Sequence, residues 1–133
     1  MKKLKKTVSS GKNKTWGAGL LVSFKHALEG WLAVFRQERN FRLEVLFLFL
    51  VVLLSLWFQV SFLEFLALVI VSLFVLVMEI LNTVLEYFLD FYSKRRNRKI
   101  KFLKDAMAGA VLISSLLALL TAVVIFYPYF FIF

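Results

Sequence analysis

The sequence predicts an all-α integral membrane protein, in which an N-terminal amphipathic helix lies at the interface and three helices cross the bilayer. Two observations predict this fold. First, 62% of the 133 residues are hydrophobic, which leaves too little polar surface for a water-soluble protein of this size. Second, no charged residue occurs within 45–63, 65–78 or 106–133. Segments of about 20 apolar residues are long enough to cross a hydrocarbon core of about 30 Å.

The first predicted helix differs from the other three in its pattern. Hydrophobic residues recur at spacings of three and four between about 20 and 37, with Lys25, Glu29 and Arg36 between them. We expect this amphipathic helix to lie in the interface rather than to cross the membrane. The membrane-spanning segments are predicted at about 43–60, 64–89 and 106–127. The helix of the third span is expected to end near Pro128, because proline lacks the N–H that a helix interior requires.

The distribution of charge predicts the domain organisation and the orientation. Residues 1–15 contain too few apolar residues to order themselves and are predicted to be a basic disordered tail, which leaves 16–133 as a single membrane domain. No aromatic residue separates the lysines of this tail, so we do not expect nucleic acid as a partner. Of the 17 Lys and Arg, ten lie at or before Arg42 and seven between Lys94 and Lys104. By the positive-inside rule the N-terminus and the polar connector after the second span are cytoplasmic, and the C-terminus is outside.

Four polar residues fall on one face of the otherwise apolar second span. At about 100° per residue, Glu79, Asn82, Glu86 and Asp90 lie within an arc of about 80°, on a stripe roughly 16 Å long. A carboxylate at the centre of a membrane helix costs about 3 kcal/mol, so we expect these side chains to face a bundle interior or a wet cleft. An interhelical hydrogen bond would explain one such residue. Four on one face favour a functional site.

Other acidic residues lie on the predicted cytoplasmic side. Glu38 and Glu44 precede the first span, and Asp105 begins the third. Hard oxygen ligands of this type suit Mg²⁺, which takes one or two carboxylates together with waters and substrate phosphates. Lys101 and Lys104 lie beside Asp105 in the chain and could neutralise phosphate charge during phosphoryl transfer. These residues predict a site for a metal–nucleotide complex.

Glu79 is the candidate general base, because it stands deeper in the bilayer, where it could take the proton of a lipid hydroxyl. Asn82, one turn away, could orient either the base or a phosphate oxygen. The chain has no G-x-x-x-x-G-K-[ST], H-R-D or D-F-G motif, so a kinase here would be of another class. A second hypothesis is a non-enzymatic ion-conducting or structural membrane subunit, in which the acidic stripe lines a cation path. That hypothesis gives no role to Lys104 and Asp105.

Three motifs make the chain similar to the bacterial diacylglycerol kinase and undecaprenol kinase family over roughly residues 22–126. They are E-R-N-F-R-L-E at 38–44, E-I-L-N-T-V-L-E at 79–86 and K-D-A-M-A-G-A-V at 104–111. The resemblance implies an interfacial helix and three membrane helices in the bacterial inner membrane. It also implies a homotrimer with shared active sites, which transfers the γ-phosphate of ATP to a lipid alcohol.

The resemblance further implies roles for single residues. Glu79 would be the catalytic base, Glu38 and Glu86 the Mg²⁺ ligands, and Glu44 a supporting polar residue. Nucleotide and active-site contacts would come from Asn82, Asp90, Lys104 and Asp105. The chain departs from its relatives at 94–99, where K-R-R-N-R-K replaces a turn that commonly contains Pro and His. The E-R-N-F-R form looks more like Gram-positive members, many of which prefer undecaprenol, and both undecaprenol and diacylglycerol stay open as acceptors.

Overall fold

The protein is described by a computed structural model over residues 16–95 and 97–132, and this part of the chain contains four helices. They are α1 (Trp16–Gln37), α2 (Arg39–Phe58), α3 (Phe62–Tyr92) and α4 (Arg98–Ile132). The last three are long and apolar enough to cross a membrane. The predicted all-α fold with three candidate spans is therefore confirmed. The predicted basic tail, 1–15, lies outside the described residues.

The helices extend beyond the predicted membrane segments. With 31 and 35 residues, α3 and α4 are roughly 46 and 52 Å long, well over the hydrocarbon core of about 30 Å. Because α3 ends at Tyr92 and α4 begins at Arg98, most of the polar connector predicted from the sequence is helical. The uncharged segments of the sequence indicate which residues lie in the hydrocarbon core. The helices themselves continue into the interfacial layer, where polar side chains are tolerated.

The chain divides into two compact units, one ending at Ala33 and the other spanning Val34–Phe133. In the first unit the apolar residues of α1 are exposed; Leu21, for example, is 73% exposed. On the polar side, Lys25 pairs with Glu29 at 3.8 Å. An amphipathic helix with an uncovered apolar face is what the interfacial prediction requires.

In the second unit, α2, α3 and α4 form a bundle whose consecutive helices are antiparallel. At one end, Asp90 near the end of α3 forms an ion pair with Lys104 near the start of α4. At the same end, the Tyr87 hydroxyl of α3 donates a hydrogen bond to Gln37 Oε1, just before α2 begins (2.7 Å). The acidic residues and the basic connector therefore lie at one end of the bundle.

The opposite end is closed by a tight turn between α2 and α3. The Ser61 hydroxyl accepts a hydrogen bond from the Glu64 N–H, while the Glu64 carboxylate accepts one from the Ser61 N–H at 2.8 Å. This capping box satisfies two backbone donors at the start of α3. The Tyr129 hydroxyl of α4 donates a further hydrogen bond to Glu64 (2.8 Å).

The expectation that α4 ends near Pro128 is wrong, because the helix continues to Ile132. Proline removes one N–H from the helix, but the residues that follow it are held by other contacts. Tyr129 is bonded to Glu64, and the ring centroid of Phe130 lies 4.9 Å from that of Phe58. Tertiary contacts thus keep the last turn helical where local propensity does not.

The interior of the bundle combines apolar side chains, such as Phe41 and Leu68, with small polar residues. Ser55 and Ser114 are 3% and 2% exposed. Each hydroxyl donates to a carbonyl of the preceding turn of its own helix, so neither needs a partner on another helix. Trp57 and Phe91, in contrast, are more than four-fifths exposed. Such a distribution fits a protein surrounded by lipid.

The Tyr129–Glu64 hydrogen bond yields a testable prediction. Tyr129→Phe removes one bond between α4 and the α2–α3 turn, and should lower the melting temperature of the detergent-solubilised protein. Tyr127→Phe is the matched control, because Tyr127 lies two residues away and makes no hydrogen bond among the described residues. Equal melting temperatures for the two variants would contradict the role given to this bond.

Candidate active site

The helix break before α2 consists of Glu38 alone. Its backbone is extended (φ −100°, ψ 117°), and its side chain does not cap α2. The Glu38 N–H still donates to the Val34 carbonyl at 2.8 Å, so the break is tight. The Glu38 carboxylate is therefore not used in local helix capping and is available to the rest of the site.

Glu79 is the centre of a group of four carboxylates. It is only 4% exposed, and it lies close enough to Glu38 and Glu86 for their like charges to repel it. Glu44 is near enough to be repelled by Glu79 as well. Among residues 16–95 and 97–132, no Lys, Arg or His forms a salt bridge with any of the four. This acidic cluster (Glu38, Glu44, Glu79 and Glu86) has no countercharge within the described residues, so it favours the binding of a cation.

Two buried oxygen atoms, one in this cluster and one a turn along α3 from Glu79, lack hydrogen-bond partners within the described residues. They are Glu44 Oε2 and Asn82 Oδ1. Leaving a buried polar atom unsatisfied costs about 1–3 kcal/mol, which favours a ligand that would supply the missing partner. Both atoms accept hydrogen bonds or coordinate a hard cation, so a hydroxyl group, a water or a metal ion would satisfy them.

The oxygen donors fit Mg²⁺ bound together with a substrate. Within the described residues, no three His, Cys, Asp or Glu side chains converge closely enough to hold a metal ion by themselves. Mg²⁺ commonly takes one or two carboxylates and fills its remaining positions with waters and phosphate oxygens. Glu38, from the break before α2, and Glu86, from α3, are suited to that arrangement.

A cavity of about 560 Å³ lies at the α3–α4 connector. Three residues predicted to contact the nucleotide, Asp90, Lys104 and Asp105, line it together. The same cavity is lined by four other cationic side chains, those of Lys94, Arg95, Arg98 and Lys101. With five cations against two anions, this connector cavity is suited to an anion such as a phosphate chain. The sequence singled out Lys101 among these four but treated the other three only as a departure from the family pattern.

A second cavity, of about 510 Å³, is an apolar groove between α2, α3 and α4. Its walls include Phe47, Val51 and Leu68, and its polar end is formed by Asn40 and Glu44. The groove also reaches Val75, which lies one turn before Glu79 on α3. An alkyl or prenyl chain in this groove would hold a polar head group at the acidic cluster.

The predicted site residues thus fall into two neighbouring groups that follow one another along α3. Glu38, Glu79 and Glu86 belong to the acidic cluster, and Asn82 lies one turn from Glu79 on α3. About one turn beyond Glu86, Asp90 begins the connector cavity. The structure brings the predicted residues together, while the individual roles assigned to them stay predictions.

Sequence reasoning missed three residues that support Glu38. They are Gln37, Arg42 and Tyr87, whose hydrogen bonds hold the α1–α2 junction. The E-R-N-F-R-L-E motif contains Arg42, but nothing in the motif indicates which atoms its side chain binds. No sequence signal could have paired Gln37 with Tyr87, because the two lie 50 residues apart in the chain.

The acidic cluster lies between an apolar groove wide enough for a lipid chain and a basic cavity wide enough for an anion. This arrangement defines a class of membrane protein that can bring a lipid and a phosphate donor together. Sequence comparison specifies the family. Residues 25–126 match the prokaryotic diacylglycerol kinase family, and the chain belongs to that family. The predicted family and the predicted lipid kinase activity are therefore confirmed.

Two relatives indicate how closely the chain follows the family. It is 28% identical over 106 residues to the undecaprenol kinase of Bacillus subtilis, a match that covers 80% of this chain and 86% of the relative. It is 31% identical over 102 residues to the diacylglycerol kinase of Synechocystis sp., which covers 76% of this chain and 58% of that relative. The chain therefore spans little more than half of the Synechocystis protein.

The repulsion within the acidic cluster predicts a gain in stability when one charge is removed. Glu79→Gln should raise the melting temperature in EDTA, because the amide keeps the shape of the side chain without its charge. Added Mg²⁺ should reduce the difference in melting temperature between Glu79→Gln and the wild-type protein. Glu29→Gln, on the exposed face of α1, is the control and should leave the melting temperature unchanged. A lower melting temperature for Glu79→Gln in EDTA would contradict this account.

Proposed function

We propose that this lipid kinase uses ATP and Mg²⁺ to phosphorylate undecaprenol or diacylglycerol, with Glu79 as the general base. The observation that carries the proposal is the position of Glu79. It is buried in the acidic cluster, where the polar end of the apolar groove meets the residues leading to the connector cavity. A lipid hydroxyl and a nucleotide could meet there from opposite sides.

We assign the Mg²⁺ ion to Glu38 and Glu86. Asn82, Asp90, Lys104 and Asp105 would contact the nucleotide or line its site. Mg²⁺ bound with ATP would neutralise charge on the phosphate oxygens. Lys104 is already paired with Asp90, so the pair holds the ammonium group at the mouth of the connector cavity, where it can share its charge with a phosphate.

In the proposed reaction, the Glu79 carboxylate takes the proton of the lipid hydroxyl as that oxygen attacks the γ-phosphorus of ATP. The bond from the γ-phosphorus to the bridging oxygen breaks, and ADP leaves with the bonding electrons. The products are a lipid phosphate and ADP, with the proton on Glu79. Because Glu79 is buried, water has little access to this position, which favours transfer to the lipid over hydrolysis of ATP.

We further propose the orientation and assembly that the sequence indicated. The basic residues lie at the end of the bundle that holds the site, which supports a cytoplasmic N-terminus, an outside C-terminus and delivery of ATP from the cytoplasm. The proposed assembly is a homotrimer with shared active sites in the bacterial inner membrane. The domain would span 16–133, with the basic tail before it.

Glu79→Gln should lower the rate of lipid phosphorylation by about 10³-fold, the usual contribution of a positioned general base. The variant should still insert into membranes and assemble as the wild-type protein does. The measurement is transfer of ³²P from labelled ATP to lipid, with Glu29→Gln as the control of equal charge change. Near-normal transfer by Glu79→Gln would remove this residue from the mechanism.

For the acceptor, we favour undecaprenol, since the match with the undecaprenol kinase covers far more of that relative than the match with the diacylglycerol kinase does. A side-by-side assay with the two alcohols in identical micelles should give the higher kcat/KM for undecaprenol. A preference for diacylglycerol would reverse this assignment.

The rival hypothesis, an ion-conducting or structural subunit, makes a different prediction in the same preparation. It expects cation flux in liposomes and no labelled lipid. Family membership favours the kinase, and so does the cationic connector cavity, because a cation path would not be entered through five positive side chains.

A further inference from the structure

The junction between α1 and α2 is held by side chains that the proposed reaction does not use. Glu38 supplies the only residue of the break, and a residue outside a helix has more freedom than its helical neighbours. Its carboxylate is also repelled by Glu79. Some interaction must therefore oppose the outward movement of Glu38 from the acidic cluster.

One such interaction joins the chain neighbours of the two proposed Mg²⁺ ligands. Gln37 precedes Glu38, and Tyr87 follows Glu86. The Tyr87 hydroxyl donates a hydrogen bond to Gln37 Oε1 at 2.7 Å. Because each partner is covalently next to a ligand, this bond limits the separation of Glu38 from Glu86.

Arg42 stabilises the same junction from the other side. Its Nη1 donates to the carbonyl oxygens of Phe35 and Arg36 at 3.1 and 3.0 Å. Carbonyls in the last turn of a helix lack intrahelical partners, so Arg42 caps the end of α1. Arg42 also lies four residues after Glu38, the spacing of a helical ion pair, but no salt bridge forms between them in the described chain. The carbonyls thus hold the guanidinium group and leave the Glu38 carboxylate free.

We propose that Tyr87, Gln37 and Arg42 are positioning residues that set the distance between Glu38 and Glu86 and thereby the affinity of the site for a divalent cation. This inference rests on the assignment of those two carboxylates as Mg²⁺ ligands. Mg²⁺ requires nearly ideal octahedral geometry at 2.0–2.1 Å. A small change in the separation of two ligands therefore weakens binding, and groups outside the ligand set commonly control metal affinity.

The test measures binding of Mn²⁺ alone, by the EPR signal of the free ion, in the full-length protein without nucleotide. Tyr87→Phe and Gln37→Ala should each weaken binding about fivefold, as expected for the loss of one neutral hydrogen bond. The double variant should be no weaker than either single variant, because both remove the same bond. Tyr92→Phe is the matched control on α3, since the Tyr92 hydroxyl makes no hydrogen bond within the described residues.

Kinetics supply a second measurement. In Tyr87→Phe, the Mg²⁺ concentration for half-maximal lipid phosphorylation should rise by the same factor, while kcat at saturating Mg²⁺ should stay within twofold of the wild type. Arg42→Ala should shift the Mg²⁺ requirement in the same direction, and Arg42→Lys should restore part of the affinity. Arg39→Ala is the control for the change of charge at the start of α2.

The outcomes separate this inference from the proposed function. If Glu38→Gln and Glu86→Gln weaken Mn²⁺ binding but Tyr87→Phe and Gln37→Ala do not, the positioning role is wrong and the metal site stands. If neither Glu38→Gln nor Glu86→Gln changes Mn²⁺ binding, the metal assignment fails and the positioning role fails with it. Additive losses in the Tyr87–Gln37 double variant would also overturn the proposal, because they would show that the two side chains act separately.

Discussion

The constraint on which the rest of this structure depends is the burial, inside an apolar bundle, of carboxylates that also repel one another. Glu79 is buried, and Glu38, Glu44 and Glu86 all lie near enough to repel it or to be repelled by it. Burial removes most of the solvent that would screen these charges, so the cluster destabilises the folded protein when no cation is bound. Such a cost is typical of functional sites, where stability is sacrificed for binding or chemistry.

The surrounding hydrogen bonds are arranged so that they do not relieve this repulsion. Arg42 is close in sequence to Glu38 and Glu44, yet its guanidinium group binds backbone carbonyls. Asn82 Oδ1 and Glu44 Oε2 are buried and have no hydrogen-bond partner in the part of the chain that the structure describes. If Arg42 instead neutralised the cluster, a metal–nucleotide complex would have to displace it before binding. Because the Arg42 guanidinium group is bound to carbonyls instead, the acidic cluster can still attract a ligand that carries positive charge.

The sequence predicted the fold and the shared helix face of Glu79 and Glu86 because both follow from local regularities. Apolar segments of the right length identify membrane helices, and the helical period places Glu79, Glu86 and their neighbours on one face. Helix ends were less predictable, since they depend on tertiary contacts: Tyr129 and Phe130 hold α4 beyond Pro128. The helical turns within the connector were not predictable for a related reason. A polar composition there indicates exposure to the interface, and says little about whether the backbone is helical.

The supporting contacts of the site could not have been predicted from one sequence. The Gln37–Tyr87 bond joins residues 50 positions apart, and neither residue type has a preference that would reveal the pairing. The cationic residues of the connector are a different case. Their charge is evident from the sequence, but the sequence does not show that they line one cavity. Once α3 and α4 are antiparallel, a net positive cavity lies next to a net negative cluster on the same face of α3. A magnesium–nucleotide complex has the matching asymmetry: its phosphate chain is anionic and its metal is cationic. In the function proposed above, the electrostatic field along α3 would orient the donor, with its cationic end toward the acidic cluster and its anionic end toward the connector.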